Sequence, residues 1–185
     1  MPHGFQAVLV SSQADGSALS NSTTATSILP AQAKYTLGAS LLDVPGRQLI
    51  VRAAGRISNI VTTPGNLTLE VRFGSVVVAS TGTMALNTTA KTNVAWKLEW
   101  LLTARSVGGS TSATLMHQAV WTSESVVGSA ANTALPIMGP ASAPAVGTGF
   151  DSTAAQLVDL FATFSVANSG NAITCHQFQL IDCGP

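Results

Sequence analysis

Residues 66–73 read Asn-Leu-Thr-Leu-Glu-Val-Arg-Phe, and this faultless alternation limits the fold more than any other feature of the chain. A period of two puts Leu67, Leu69, Val71 and Phe73 on one face and Thr68, Glu70 and Arg72 on the other. A helix would scatter the same residues around its circumference, so the segment predicts a strand with one face on a core and one on solvent. Residues 93–105 repeat the pattern at greater length, with Val94, Trp96, Leu98, Trp100 and Leu102 opposed to Lys97, Glu99, Thr103 and Arg105. Two inward tryptophans imply a thick core.

The remaining strands follow from the same rule. Residues 47–57 set Leu49, Val51, Ala53, Gly55 and Ile57 toward the core, with Ile50, Arg52, Ala54 and Arg56 outward. Gly74-Ser75 is a tight-turn signal between 66–73 and 76–80, and the Gly-rich run 106–110 returns the chain into 111–122, with Leu115, Ala119 and Trp121 inward. Residues 154–166 carry Val158, Leu160, Ala162, Phe164 and Val166 on one face, and Asn168-Ser169-Gly170-Asn171 turns into 172–181. Short strands are expected at 5–10 and 34–37, and residues 11–27, rich in Ser, Thr, Ala and Asn, read as an extended arm. No stretch carries a capped helical period. The expected fold is all-β: an antiparallel two-sheet jelly-roll sandwich of about eight to ten strands, with an N-terminal strand and arm over 1–27 and one domain over 28–185.

Charge is scarce. Eight basic and eight acidic residues make up 9% of the chain, about a third of the usual share. The balance is neutral, so the long-range attraction expected of a nucleic-acid or anionic-membrane binder is missing. With 46% hydrophobic residues and a mean hydropathy of +0.37, much of the surface is expected to be covered by neighbouring protein. The longest uncharged run, 125–150, contains Pro136, Pro140 and Pro144 and reads as a loop rather than a membrane span. The N-terminus shows no basic segment followed by an apolar run, so no secretory signal is expected and Cys175 and Cys183 are read as reduced thiols.

No arrangement of residues points to a reaction. Cys175 and His176 are adjacent on a strand and face opposite ways, so they cannot share a metal, and no cofactor is expected. The nearest thing to a nucleophile elbow, Gly108-Gly109-Ser110-Thr111-Ser112, lacks the closing glycine. Asp151 with Asp159, or Glu70 with Glu99, could supply paired carboxylates, yet Glu70 and Glu99 beside Arg72 and Lys97 read more simply as cross-strand ion pairs. Trp96 and Trp100 are in phase with leucines and belong to the core, whereas Trp121 ends its strand and could serve a sugar platform or a contact. His117, on the same face as Trp121, reads as a hydrogen-bonded core or interface histidine.

Four segments together, 27–35 (Ser-Ile-Leu-Pro-Ala-Gln-Ala-Lys-Tyr), 52–58 (Arg-Ala-Ala-Gly-Arg-Ile-Ser), 69–74 (Leu-Glu-Val-Arg-Phe-Gly) and 149–154 (Gly-Phe-Asp-Ser-Thr-Ala), resemble tailed-bacteriophage virion proteins. The resemblance spans nearly the whole chain and is nearest to capsid cement or decoration proteins. It implies a non-enzymatic homotrimer on the virion capsid surface, assembled in the host cytoplasm, with the major capsid protein as partner. Phe5 and Val8 of the first strand, Arg52, Arg56, His117, Trp121 and Phe150 are the candidate subunit or capsid contacts. The rival is a receptor- or carbohydrate-binding jelly-roll module of a phage tail fibre or spike.

Overall fold

The alternating segments become the two layers of an antiparallel β-sandwich. The structure, a computed structural model, describes residues 6–129, 136–141 and 143–184. In chain order the strands are β1 (Ala7–Ser11), β2 (Leu19–Ser20), β3 (Thr26–Ser27), β4 (Tyr35–Leu37), β5 (Gln48–Asn59), β6 (Asn66–Phe73), β7 (Val76–Ser80), β8 (Met84–Leu86), β9 (Lys91–Ser106), β10 (Thr114–Ser123), β11 (Val126–Ser129), β12 (Ile137–Gly139), β13 (Ala145–Val146), β14 (Gln156–Phe164) and β15 (Ala172–Asp182). One 3-10 turn, Ala31–Ala33, is the single helical element among the described residues.

The larger sheet runs β1-β15-β5-β9-β10-β12, with β2 on β15 and β13 on β10. The smaller runs β11-β8-β6-β14-β3, with β4 on β14 and β7 on β6. β6 has the bounds its alternation demands, and Leu67, Leu69, Val71 and Phe73 are all buried. The β6–β7 hairpin turns at Gly74, whose φ of 58° is the left-handed conformation that glycine tolerates best. Trp96, Leu98, Trp100 and Leu102 of β9 meet the small-sheet residues in one continuous core.

Several expectations change. Residues 125–150 are not a plain loop: β11, β12 and β13 lie within them, and Phe150 bridges to Ala113. Their pairing is supplied by partners distant in sequence, which a short run of Ser, Pro and Gly cannot advertise. The segment 11–27 is likewise bound to its own domain, with the Gly16 N–H donating to the Cys175 carbonyl at 2.8 Å and Leu19 opposite Ile173. The first strand pairs with β15 of its own chain, through Val8 opposite Ile181, and so occupies a sheet edge that could otherwise accept a neighbour. Among the described residues there are fifteen strands against the expected eight to ten, because these connections contribute pieces of only two to four residues.

The turn at 168–171 does not close a hairpin. It carries the chain from β14 in the small sheet to β15 in the large one, as residues 60–65 carry it from β5 to β6. Two buried asparagines hold this end of the sandwich. Asn171 donates to the carbonyls of Pro64 (2.9 Å) and Val166 (3.3 Å) and accepts from the Ile60 N–H (3.0 Å). Asn59 donates to the carbonyls of Ile60, Asn87 and Thr89. Buried polar groups satisfied in this way fix loops without a disulfide.

Candidate interaction surface

The outer face of the large sheet is broad, partly apolar and thinly charged. Register places Ile181, Ile50, Leu101 and Gln118 in one row across β15, β5, β9 and β10, and Gln179, Arg52, Glu99 and Val120 in the next. Leu101 is 42% exposed and Val120 37%. A third row holds Gln177, Ala54, Lys97 and Thr122. Arg52 Nε donates to Glu99 Oε2 at 2.8 Å, an exposed pair that contributes at most about 1 kcal/mol. Glu99 therefore pairs across to β5, with Arg52 directly opposite it, and not with Lys97 of its own strand. Arg56 Nη1 donates to the Asn93 carbonyl at 3.1 Å.

On the small sheet's outer face the charged residues pair with one another. Arg72 Nε donates to Glu70 Oε2 at 2.8 Å while the guanidinium lies 4.2 Å from the Phe161 ring centroid. Lys34 Nζ reaches Asp159 Oδ2 at 2.8 Å, and Ser27 Oγ donates to Asp159 Oδ1 at 2.8 Å. The two carboxylate pairs weighed for glycoside chemistry are thus dispersed: Glu70 and Glu99 belong to different sheets, and Asp159 is buried in an ion pair. Asp151 accepts from the Thr153 hydroxyl and N–H, bonds that hold its carboxyl below the usual range.

Of the sequence-derived contact residues, Val8 (57% exposed), Arg52 and Arg56 lie on the surface, and Phe5 lies outside the described residues. His117, Trp121 and Phe150 are buried. Trp121 stacks on Trp96, centroids 4.9 Å apart and planes 17° from parallel, and Phe150 meets Phe73 edge-on at 4.9 Å. These three side chains present no surface to a partner. What covers them is distant in sequence: Trp100 flanks His117, Trp96 stacks on Trp121 and Phe73 meets Phe150. Lys97, which the sequence pairs with Glu99, instead borders a hollow of about 450 Å³ on this face. Its signal was the lack of an acid at the opposed position, where register puts Ala54.

His117 Nδ1 accepts from Trp100 Nε1 at 3.4 Å, and burial lowers the imidazole pKa from 6.5. The folded protein therefore binds fewer protons at this site than the unfolded chain. Its contribution is complete above pH 6.5, declines as the pH drops below that value, and is lost once the pH passes the lowered folded value. The unfolding midpoint should fall over that window, and His117→Gln should flatten the fall. A wild-type midpoint unchanged between pH 7 and pH 5 would contradict this reading. At Asp182, burial pushes upward but is outweighed by the hydrogen bonds from Arg47 and the Gly184 N–H and by the Arg47 charge, so its loss belongs to a more acidic window, below 3.8.

The remaining chemistry-bearing groups are occupied. Both cysteines are free thiols; burial pushes Cys175 up to about 12, and its Sγ donates to the Gln177 carbonyl at 3.2 Å. His176 Nδ1 lies 2.7 Å from Asp15 Oδ1 at the surface. Among the described residues no three His, Cys, Asp or Glu side chains gather as metal ligands.

No family model and no curated protein matches the chain. Among solved structures it is similar to the CBM2 module of the evolved Dit of Lactobacillus casei BL23 phage J-1. The TM-score is 0.32 and the identity 8%, over 82% of this chain and 69% of that one. A likeness of that size carries no argument about function.

Proposed function

We propose that this protein is a structural virion component, a cement or decoration protein that binds the shell of the major capsid protein and stabilises it as a homotrimer. The observation that carries the reading is the outer face of the large sheet, where Ile50, Leu101 and Val120 stand among few charges, beside Val8 on the edge strand. Such a face is poorly solvated and gains from being covered by protein. A closed ring of three would cover part of it, and a capsid subunit the rest.

Light scattering on the purified protein should give three times the 18.8 kDa chain mass, and sedimentation with capsids should carry it down in fixed ratio to the major capsid protein. A monomer that stays in the supernatant would sink the proposal. The receptor- or carbohydrate-binding reading depended on an aromatic platform, and Trp96, Trp100 and Trp121 are all buried. Glycan-array binding by the intact protein would revive it.

A further inference from the structure

Among the described residues, five of the eight Lys and Arg side chains are paired with a carboxylate. Lys34, Arg47, Arg52, Arg72 and Lys91 are each held by a carboxylate. Arg56 and Lys97 are not, among the described residues, and they border the same trough on the outer face of the large sheet. Two adjoining hollows of about 450 and 460 Å³ share Ala54 and Gln177; Lys97 borders the first and Arg56 the second. The floor is small, with Ala54, Gly55 and Ala95 offering no side chain that would fill it.

We propose that this trough receives an extended acidic peptide segment of the protein partner, with Arg56 and Lys97 each taking a carboxylate. Register pairs Ala54 with Lys97 and Arg56 with Ala95, so the two residues are diagonal neighbours on one face, with their Cα atoms about 7 Å apart. Alternate side chains of an extended peptide have nearly that spacing, about 6.6 Å. The nearby acids are committed elsewhere: Glu99 to Arg52, Glu124 to Lys91, Asp15 to His176. Two like charges without a counter-ion repel each other, and a carboxylate pair from outside relieves that repulsion. Gln177 and Gln179 along the walls can donate to and accept from a peptide backbone. Trp96 lies beneath the second hollow but is 2% exposed, with its Nε1 donating to the carbonyls of Arg56 and Thr174, so it offers no stacking surface for a sugar.

The inference rests on the reading that the protein docks on a protein partner, and its test keeps the two apart. The probe is a short fluorescein-labelled peptide of alternating glutamate and alanine, followed by anisotropy at low ionic strength. Wild-type protein should bind it, with affinity falling as salt rises. Arg56→Gln combined with Lys97→Gln should weaken binding at least tenfold with an unchanged unfolding midpoint, while Arg105→Gln, at an exposed cation outside the trough, should bind as wild type. Equal binding by the double variant, or none by wild type, would overturn the proposal. Tighter binding of polygalacturonate than of the peptide, lost in the same variant, would overturn the peptide assignment in favour of an acidic polysaccharide. Capsid sedimentation is run in parallel. Wild-type protein that binds the peptide but not capsids removes the virion reading alone, and protein that binds capsids but not the peptide removes the trough alone.

Discussion

Replacing Trp121 with alanine should destabilise the protein by about 3–5 kcal/mol, the range for truncating a large aromatic in a packed core. The side chain is fully buried and stacks on Trp96, a diagonal neighbour: Trp121 is opposite Leu98 and Ser123 opposite Trp96. On its other side β12 places Ile137 opposite it. Removing the indole therefore leaves a cavity between a long strand and a short one, and the short strand has little other pairing to hold it. The indole Nε1 has no hydrogen-bond partner among the described residues, so Trp121→Phe deletes an unpaired buried donor as well as surface and should cost less than alanine. Urea unfolding followed by far-UV circular dichroism measures both. An alanine variant as stable as wild type would mean that the side chain is not in the core, and the sugar-platform reading would regain its principal residue.

Asn59→Ala should cost about 3 kcal/mol or more, since each buried group left unsatisfied carries a penalty of about 1–3 kcal/mol. The Asn59 amide donates to three carbonyls, at 3.1 Å to Ile60, 2.6 Å to Asn87 and 3.1 Å to Thr89, and its Oδ1 accepts from Ser125 Oγ. One side chain thus ties the end of β5 to the 87–90 connection and to the turn between β10 and β11. Ser125→Ala removes one of these bonds and should cost about 1 kcal/mol. If the two variants lose the same stability in thermal unfolding, water reaches the three carbonyls and the asparagine is not a structural clamp.

The face assignments of the long strands were legible because they are local facts. In β6, β9 and β14 each residue's side is set by its neighbours two positions away, and Leu69, Trp100 and Leu160 could be placed inward with no knowledge of what they would meet. Arg52 and Arg56 were placed outward on the same grounds. His117, Trp121 and Phe150 were not placed as well, because the burial of each depends on residues far along the chain, Trp100 for His117, Trp96 for Trp121 and Phe73 for Phe150. The trough was half visible: Arg56 drew notice, but Lys97 gained meaning only once Glu99 was found with Arg52.

By itself the sequence determined a neutral, charge-poor, all-β chain and the inward set of each long strand, since alternation against a core needs only the period of the backbone. The tertiary structure decided which sheet each strand joins. The turns 60–65 and 168–171 cross between layers while Gly74-Ser75 folds back beside its own strand, a choice made by where apolar faces can be buried together rather than by the turn residues. It also decided which charges neutralise one another. Cross-strand ion pairs depend on register, which is non-local, so only the assembled sheet could reveal that Arg56 and Lys97 are diagonal neighbours with no carboxylate partner among the described residues.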